Sequence, residues 1–201
     1  QKQMKCFCNN EMIEVRYNNI DYYLCNSCGY LMKKYLPSSI EELNRYNKHI
    51  CDDKYIDYMI EIYEEIRGYL FGNKILDYGC GKIHALSDIL NKNGYDSSYY
   101  DLYYFDKEIN DKYDSIVLIE VFEHISNPRN LLDKLKSYLN QRGRIIIKTV
   151  VVPKNPIGFW YLRDITHVSF ISVKGMEILG ELCGFNVIYN KDKSLFILER
   201  I

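Results

Sequence analysis

Almost no net charge is left between the 26 Lys and Arg of this sequence and its 27 Asp and Glu, a formal balance of -1. Without a basic run, an extended grip on nucleic acid is not expected, because that needs clustered cations to neutralise phosphates. No apolar run approaches the roughly 18–20 residues that a membrane span requires. No secretory signal pattern opens the chain, so the expected setting is cytoplasmic, with no membrane attachment. Internal repeats and low-complexity linkers are missing as well. What is present is 201 residues, 47% of them hydrophobic, enough for one α/β domain and a small appendage.

The seven cysteines are unevenly spread. Cys6, Cys8, Cys25 and Cys28 crowd the N-terminus, whereas Cys51, Cys80 and Cys183 are scattered. An odd total with no export signal makes a poor disulfide framework. Cys-x-Cys followed by Cys-x-x-Cys fits a closed tetrahedral thiolate zinc site, and a closed site is structural. The first pair is one residue shorter than the common knuckle. Between the pairs, "MIEVRY" and "DYYLC" flank Asn18-Asn19 and read as a hairpin.

After this segment, residues 1–36, comes a helical linker over 37–73. Ser38 or Ser39 supplies a cap, and helices are expected at 39–49 and 53–70. In the second, Ile56, Met59, Ile60, Tyr63, Ile66 and Leu70 recur at helical spacing. From Lys74 to the end, strands alternate with helices. "KILDYG", "SSYYD", "YDSIVLIEV" and "GRIIIKTVV" are the strands; 84–93, 128–140 and 172–183 are the helices. "FNVIYN" and "SLFILER" form a closing hairpin. Continuous apolar strands between helices imply a mostly parallel sheet covered on both faces, with an antiparallel edge.

"DYGCGKIHAL" lies at the first strand-to-helix turn, where such sheets bind ligands. Gly79 and Gly81 allow close backbone approach, and Asp101, ending the next strand, stands where a ribose-binding acid is expected. A dinucleotide oxidoreductase would carry a third glycine at the position of His84; an ordinary βα turn would need none of these residues.

"LDYGCG", "YDSIVLIEVFEHISNP" and "GRIIIKT", in this order, resemble class I S-adenosylmethionine-dependent methyltransferases. "PSSIEELNRYNKH", "YDLYYF" and "WYLRDITHVSF" extend the likeness to bacterial methyltransferases that begin with a zinc ribbon. The resemblance implies a Rossmann-like methyltransferase sheet preceded by that ribbon. It places Asp77, Gly79, Cys80 and Gly81 at the methionine end of the cofactor, Asp101 and Leu102 at its ribose, and Glu120 in the same pocket. The expected reaction methylates an oxygen, nitrogen or carbon of a small-molecule acceptor. A non-catalytic cofactor-binding module and an RNA-modifying enzyme are the alternatives.

On the acceptor side, "RDITHVSF" follows a Pro- and aromatic-rich loop. His167 is the expected general base, with Asp164 three residues earlier fixing its tautomer; a histidine anchoring its own loop is the plainer reading. Arg163 either pairs with Asp164 or holds an anionic substrate. Trp160 and Tyr161 either pack or wall the substrate. Glu123 and His124 are either chemical groups at the mouth of the site, in contact with cofactor, or, on the plainer reading for catalysis, His124 caps or packs beneath the loop that leads to Pro128.

Overall fold

A computed structural model describes residues 4–192 and 194–201. Its larger sheet contains β4 (Lys74–Tyr78), β5 (Asp96–Tyr100), β6 (Tyr113–Ile119), β7 (Leu139–Lys148), β9 (Phe185–Asn190) and β10 (Leu195–Arg200), in the order β5-β4-β6-β7-β10-β9. The first four strands run parallel, and β10 pairs antiparallel with both β7 and β9. The doubly wound sheet with its terminal antiparallel hairpin is therefore present.

Alternation along the strands explains why both faces are covered. Leu76, Ile116, Leu118, Ile145, Ile147, Phe196 and Leu198 pack with α4 (Pro128–Ser137) and α5 (Val173–Leu182). Their neighbours Ile75, Val117, Ile146, Leu195 and Ile197 pack with α2 (Asp53–Ile66) and α3 (Ala85–Lys92). Successive strand residues point to opposite faces, so an unbroken apolar run needs helices on both. In α2 the buried stripe is Met59, Ile62, Tyr63 and Ile66, while Ile60 is exposed. One residue rotates a helix by about 100°, enough to carry Ile60 off the stripe.

The helices are shorter than expected: 39–46, 53–66, 85–92, 128–137 and 173–182. Local chemistry starts them as anticipated. Ser38 and Glu41 form a capping box on α1 (Ser39–Tyr46), and Pro128 opens α4. β7 begins earlier than expected, at Leu139, because its register against β6 shifts between Tyr113 and Ser115.

The smaller sheet has the order β1-β2-β3-β8. β1 (Ile13–Tyr17) and β2 (Ile20–Leu24) form the expected hairpin. Asn18 and Asn19 both have positive φ, the two-residue turn that matches strand twist. β3 (Leu31–Lys33) then pairs with β8 (Ser169–Phe170), far along the chain. Tyr30 and Ser169 hydroxyls meet at 2.8 Å. Tyr22 and Leu31 share an apolar cluster with Val152, Tyr161, Leu162 and Phe170. The cysteine-bearing segment is thus built into the loop that follows β7. Among the described residues no helix is long and apolar enough to cross a membrane.

Candidate active site

Two loops leave the sheet in opposite directions. β4 leads through α3 to the edge strand β5, and β6 leads through α4 to β7 on the other side. Ligands of doubly wound sheets bind at this reversal, beyond the carboxyl ends of the strands. The loops touch there. Gly79 has φ +85°, and a Cβ on it would run into the Val121 side chain. A Cβ on Gly81 would meet only the Tyr55 hydroxyl, 3.8 Å away, so this part of the loop is open. Cys80 between them is buried, which pushes its thiol up.

Asp77 is the penultimate residue of β4 with 3% exposure, and its Oδ2 has no hydrogen-bond partner. Burial pushes its carboxyl up to about 7. An unpaired buried oxygen beside an open glycine loop suits an ammonium-bearing ligand, which would supply both charge and hydrogen bond. Asp101 already has work within the chain. Its Oδ2 accepts from the Gly81 amide at 3.0 Å, and its Oδ1 from Tyr103 and Tyr104 at 2.9 and 3.2 Å. It therefore ties the first loop to the turn after β5, and Oδ2 keeps a lone pair for a ribose hydroxyl. Leu102 is 61% exposed on that turn. His84 takes the left-handed φ of +38° that a glycine would favour, and its ring stacks 4.1 Å from that of Tyr99.

Beyond β6 lies a second cluster of polar side chains. Glu120, with φ +52°, accepts from the Tyr161 hydroxyl at 3.1 Å, and the same hydroxyl lies 2.5 Å from Glu123 Oε1. Thr149 donates to Glu123 Oε2 at 3.0 Å. Glu123 is fully buried, and burial together with the charge of Glu120 pushes it up to about 8. His124 and His167 stand edge to face, their ring centroids 5.0 Å apart. Nδ1 of His124 is 3.0 Å from the Thr166 carbonyl, and Nδ1 of His167 is 3.0 Å from the Tyr161 carbonyl. A carbonyl only accepts, so each Nδ1 carries the proton and each Nε2 keeps a lone pair. Burial lowers both rings, His124 to about 4, which leaves them neutral at pH 7. Glu123 and His124 lie at the centre of this cluster.

Asp164 does not orient His167; Tyr161 does. Asp164 Oδ2 instead takes Nε and Nη2 of Arg45 at 3.0 and 2.7 Å, and Oδ1 takes the Thr166 amide and hydroxyl. Arg163 is not its partner. Burial alone would raise the Asp164 carboxyl, but the Thr166 bonds, the nearby His167 and Arg45 outweigh it and hold it well below the usual range. A carboxyl depressed on folding adds stability above its unfolded value near 4 and loses it as pH falls. Asp164→Asn should therefore cost about 1.5–3 kcal/mol at pH 7, and the gap to the parent should shrink in acid. Urea melts at pH 7 and pH 2 check this, because the contribution is lost only as pH falls towards the depressed folded value; a cost independent of pH would sink it.

Arg45 comes from α1, which lies over the rim as a strap. Tyr103 donates to Glu42, Tyr104 donates to Asn47 Oδ1 at 3.1 Å, and Lys82 holds the Asn47 and His49 carbonyls. Tyr46 packs edge-on against His124 at 5.3 Å. From the ribbon, buried Lys33 donates to the Asp164 and Ile165 carbonyls at 2.7 and 3.1 Å. Arg45 and Lys33 were missed in the sequence because their partners are 119 and 131 residues away. Trp160 is 61% exposed, whereas Tyr161 is buried in the cluster.

The sulfurs of Cys6, Cys8, Cys25 and Cys28 all lie within 4.8 Å of one another, with Cys6–Cys28 and Cys8–Cys25 at 3.5 Å. Four thiolates about 2.3 Å from a shared ion would stand roughly 3.8 Å apart at tetrahedral angles. The donor set and spacing fit zinc.

Known proteins match most of the chain. The methyltransferase domain family matches residues 42–190. Magnesium protoporphyrin IX methyltransferase from Synechocystis PCC 6803, solved with bound SAH, superposes with TM-score 0.53 at 15% identity, over 81% of this chain and 94% of that one. A SAM-dependent methyltransferase from Archaeoglobus fulgidus gives TM-score 0.58 at 12% identity over 72% and 94%. DesVI from Streptomyces venezuelae gives 0.56 at 11% over 83% and 100%. No curated protein matches significantly. The matched span contains the glycine loop, Asp101, the carboxylates after β6 and the His167 segment, and the chain belongs to the methyltransferase domain family.

Proposed function

We propose that the chain transfers the sulfonium methyl group of S-adenosylmethionine to a small-molecule acceptor. One observation carries this reading. The open glycine loop with its orphaned Asp77 oxygen and the imidazole pair of the acceptor side meet at one rim, where Gly79 abuts Val121. Asp77 and the Gly79–Gly81 backbone hold the methionine end, and Asp101 with Leu102 holds the ribose. Bound there, the cofactor offers an electrophilic methyl carbon. The acceptor sits between this loop and the segment carrying Tyr161 and His167, and its proton leaves at the His167 side. Aligning nucleophile, carbon and sulfur can supply on the order of 7–11 kcal/mol of the barrier. A small acceptor is supported by the porphyrin named for the Synechocystis relative and by the absence of a basic surface balance here. The cysteine cluster holds zinc and serves the fold, because four thiolates leave no open position.

Asp101→Ala should weaken S-adenosylmethionine binding at least tenfold. It removes one charge-assisted hydrogen bond to the ribose, worth roughly 1.5–3 kcal/mol, and frees the Gly81 amide. Calorimetry reads this directly. Unchanged affinity would place the ribose elsewhere, and tight binding of a nicotinamide dinucleotide instead would overturn the proposal.

A further inference from the structure

The acceptor side holds more negative charge and more free lone pairs than its own partners satisfy. We propose that Glu120, Glu123, His124 and His167 form a binding site for one divalent transition cation, such as Mn2+, Fe2+ or Co2+. The proposal rests on the acceptor-side reading given above and deepens it. This site is separate from the cysteine cluster in both place and donor type.

Geometry is the first support. One ligand atom each from Glu123, His124 and His167 lie within 4.8 Å of one another. Ligands about 2.1 Å from a common ion stand roughly 3.0–3.4 Å apart at right to tetrahedral angles, so small side-chain rotations close the site. The hydrogen bonds already suit it. Both Nδ1 atoms are committed to backbone carbonyls, which is how proteins fix the tautomer and direction of a metal-bound imidazole. Both Nε2 lone pairs remain.

Charge is the second support. Glu120 and Glu123 share the single proton of the Tyr161 hydroxyl. Among the described residues no Lys or Arg is paired with either carboxylate. A fully buried carboxylate beside a half-buried one needs a counter-charge, either a retained proton or a cation. The two Nε2 lone pairs beside these carboxylates offer a cation further donors, which a proton alone would leave unused. Glu120 is also held at φ +52°, a left-handed conformation that non-glycine residues rarely adopt. Such strain persists where surrounding structure requires the residue at that place.

Donor chemistry narrows the ion. Two carboxylates with two imidazoles lie between the soft thiolate sites preferred by zinc and the all-oxygen sites of Mg2+ and Ca2+. The site also narrows the acceptor, because a cation there acidifies an oxygen. In the loaded chain His167 is a ligand, and an acceptor hydroxyl beside the ion loses its proton to solvent. The oxygen then bonds to the methyl carbon while the carbon–sulfur bond breaks, its electron pair leaving on sulfur. A hydroxyl-bearing acceptor is therefore the expected class.

The test uses the full chain with its cysteine site filled by zinc and the excess removed. Titration with Mn2+, followed by paramagnetic resonance of the free ion, should show about one Mn2+ bound per chain. Glu123→Gln and His124→Asn should each weaken that binding at least tenfold. His124→Asn can keep the bond to the Thr166 carbonyl, so it decides the matter if Glu123→Gln does not fold. No binding at millimolar Mn2+, or binding that His124→Asn leaves unchanged, overturns the site. Calorimetry with S-adenosylmethionine on the same sample reads the other proposal separately. A chain that binds cofactor but no Mn2+ loses only the cation site. A chain that binds Mn2+ but no cofactor keeps the site and loses the methyl-transfer reading.

Discussion

His167→Ala should lower the maximal rate of methyl transfer by roughly a hundred- to ten-thousand-fold and leave S-adenosylmethionine affinity almost unchanged. The ring is fixed by its Nδ1 bond to the Tyr161 carbonyl and by packing 4.1 Å from the Tyr161 ring. Its Nε2 lone pair is therefore presented in one orientation without help from Asp164. Burial lowers its pKa, so the lone pair is available at pH 7 and is lost only as pH falls into the acid range. The rate should follow the same course, flat near neutrality and declining below the ordinary imidazole value near 6.5. Whether Nε2 takes the acceptor's proton or binds a cation that acidifies the acceptor, its loss removes the step that creates the nucleophile. Steady-state kinetics with a working acceptor separate this from packing. A fall in cofactor affinity matching the fall in rate would identify His167 as a loop anchor only.

The parts of this molecule that could be read in the sequence are those governed by neighbours along the chain. The apolar runs of β6 and β7 declare strands buried on both faces, and the capping box at Ser38 and Glu41 declares a helix start. The four cysteines are legible because thiolate spacing is itself chemistry. Contacts made across the chain were not legible. β3 and β8 have 3 and 2 residues, too short for a period to appear, and they exist because each pairs with the other. Asp164 could be seen near His167 in sequence, but its partner Arg45 sits on a different element. Glu123 stands among apolar neighbours in the sequence. Its hydrogen-bond partners, Tyr161 and Thr149, are brought to it by the fold.

Removing zinc should disorder more than the ribbon. Elemental analysis should find about one zinc per chain on the four cysteines, and a strong chelator or Cys25→Ser should release it. Structural zinc contributes on the order of 10–16 kcal/mol in small isolated modules, and the segment between Cys6 and Cys28 has little core of its own. Two links carry that loss to the acceptor side. β3 pairs with β8 immediately after His167, and Lys33 holds the Asp164 and Ile165 carbonyls. Without the ribbon, the Lys33 and β3 bonds are lost together, and the His167 segment keeps Arg45, the bonds linking Thr166 to His124 and Val168 to Glu123, and its own turn. The glycine loop and Asp101 have no such links to the ribbon, so cofactor affinity should stay largely unchanged. Hydrogen exchange should then show lost protection at residues 31–33 and 164–170, while β4 and β6 remain protected. Turnover should fall with the first group of amides, although no zinc ligand touches either reactant. Purified protein without zinc and with freely reactive thiols at Cys6, Cys8, Cys25 and Cys28 would remove the site altogether. Unchanged protection at 164–170 after metal loss would show that β8 and Lys33 are not what steadies His167, and the acceptor side would then be held by α1 through Arg45 and Tyr46.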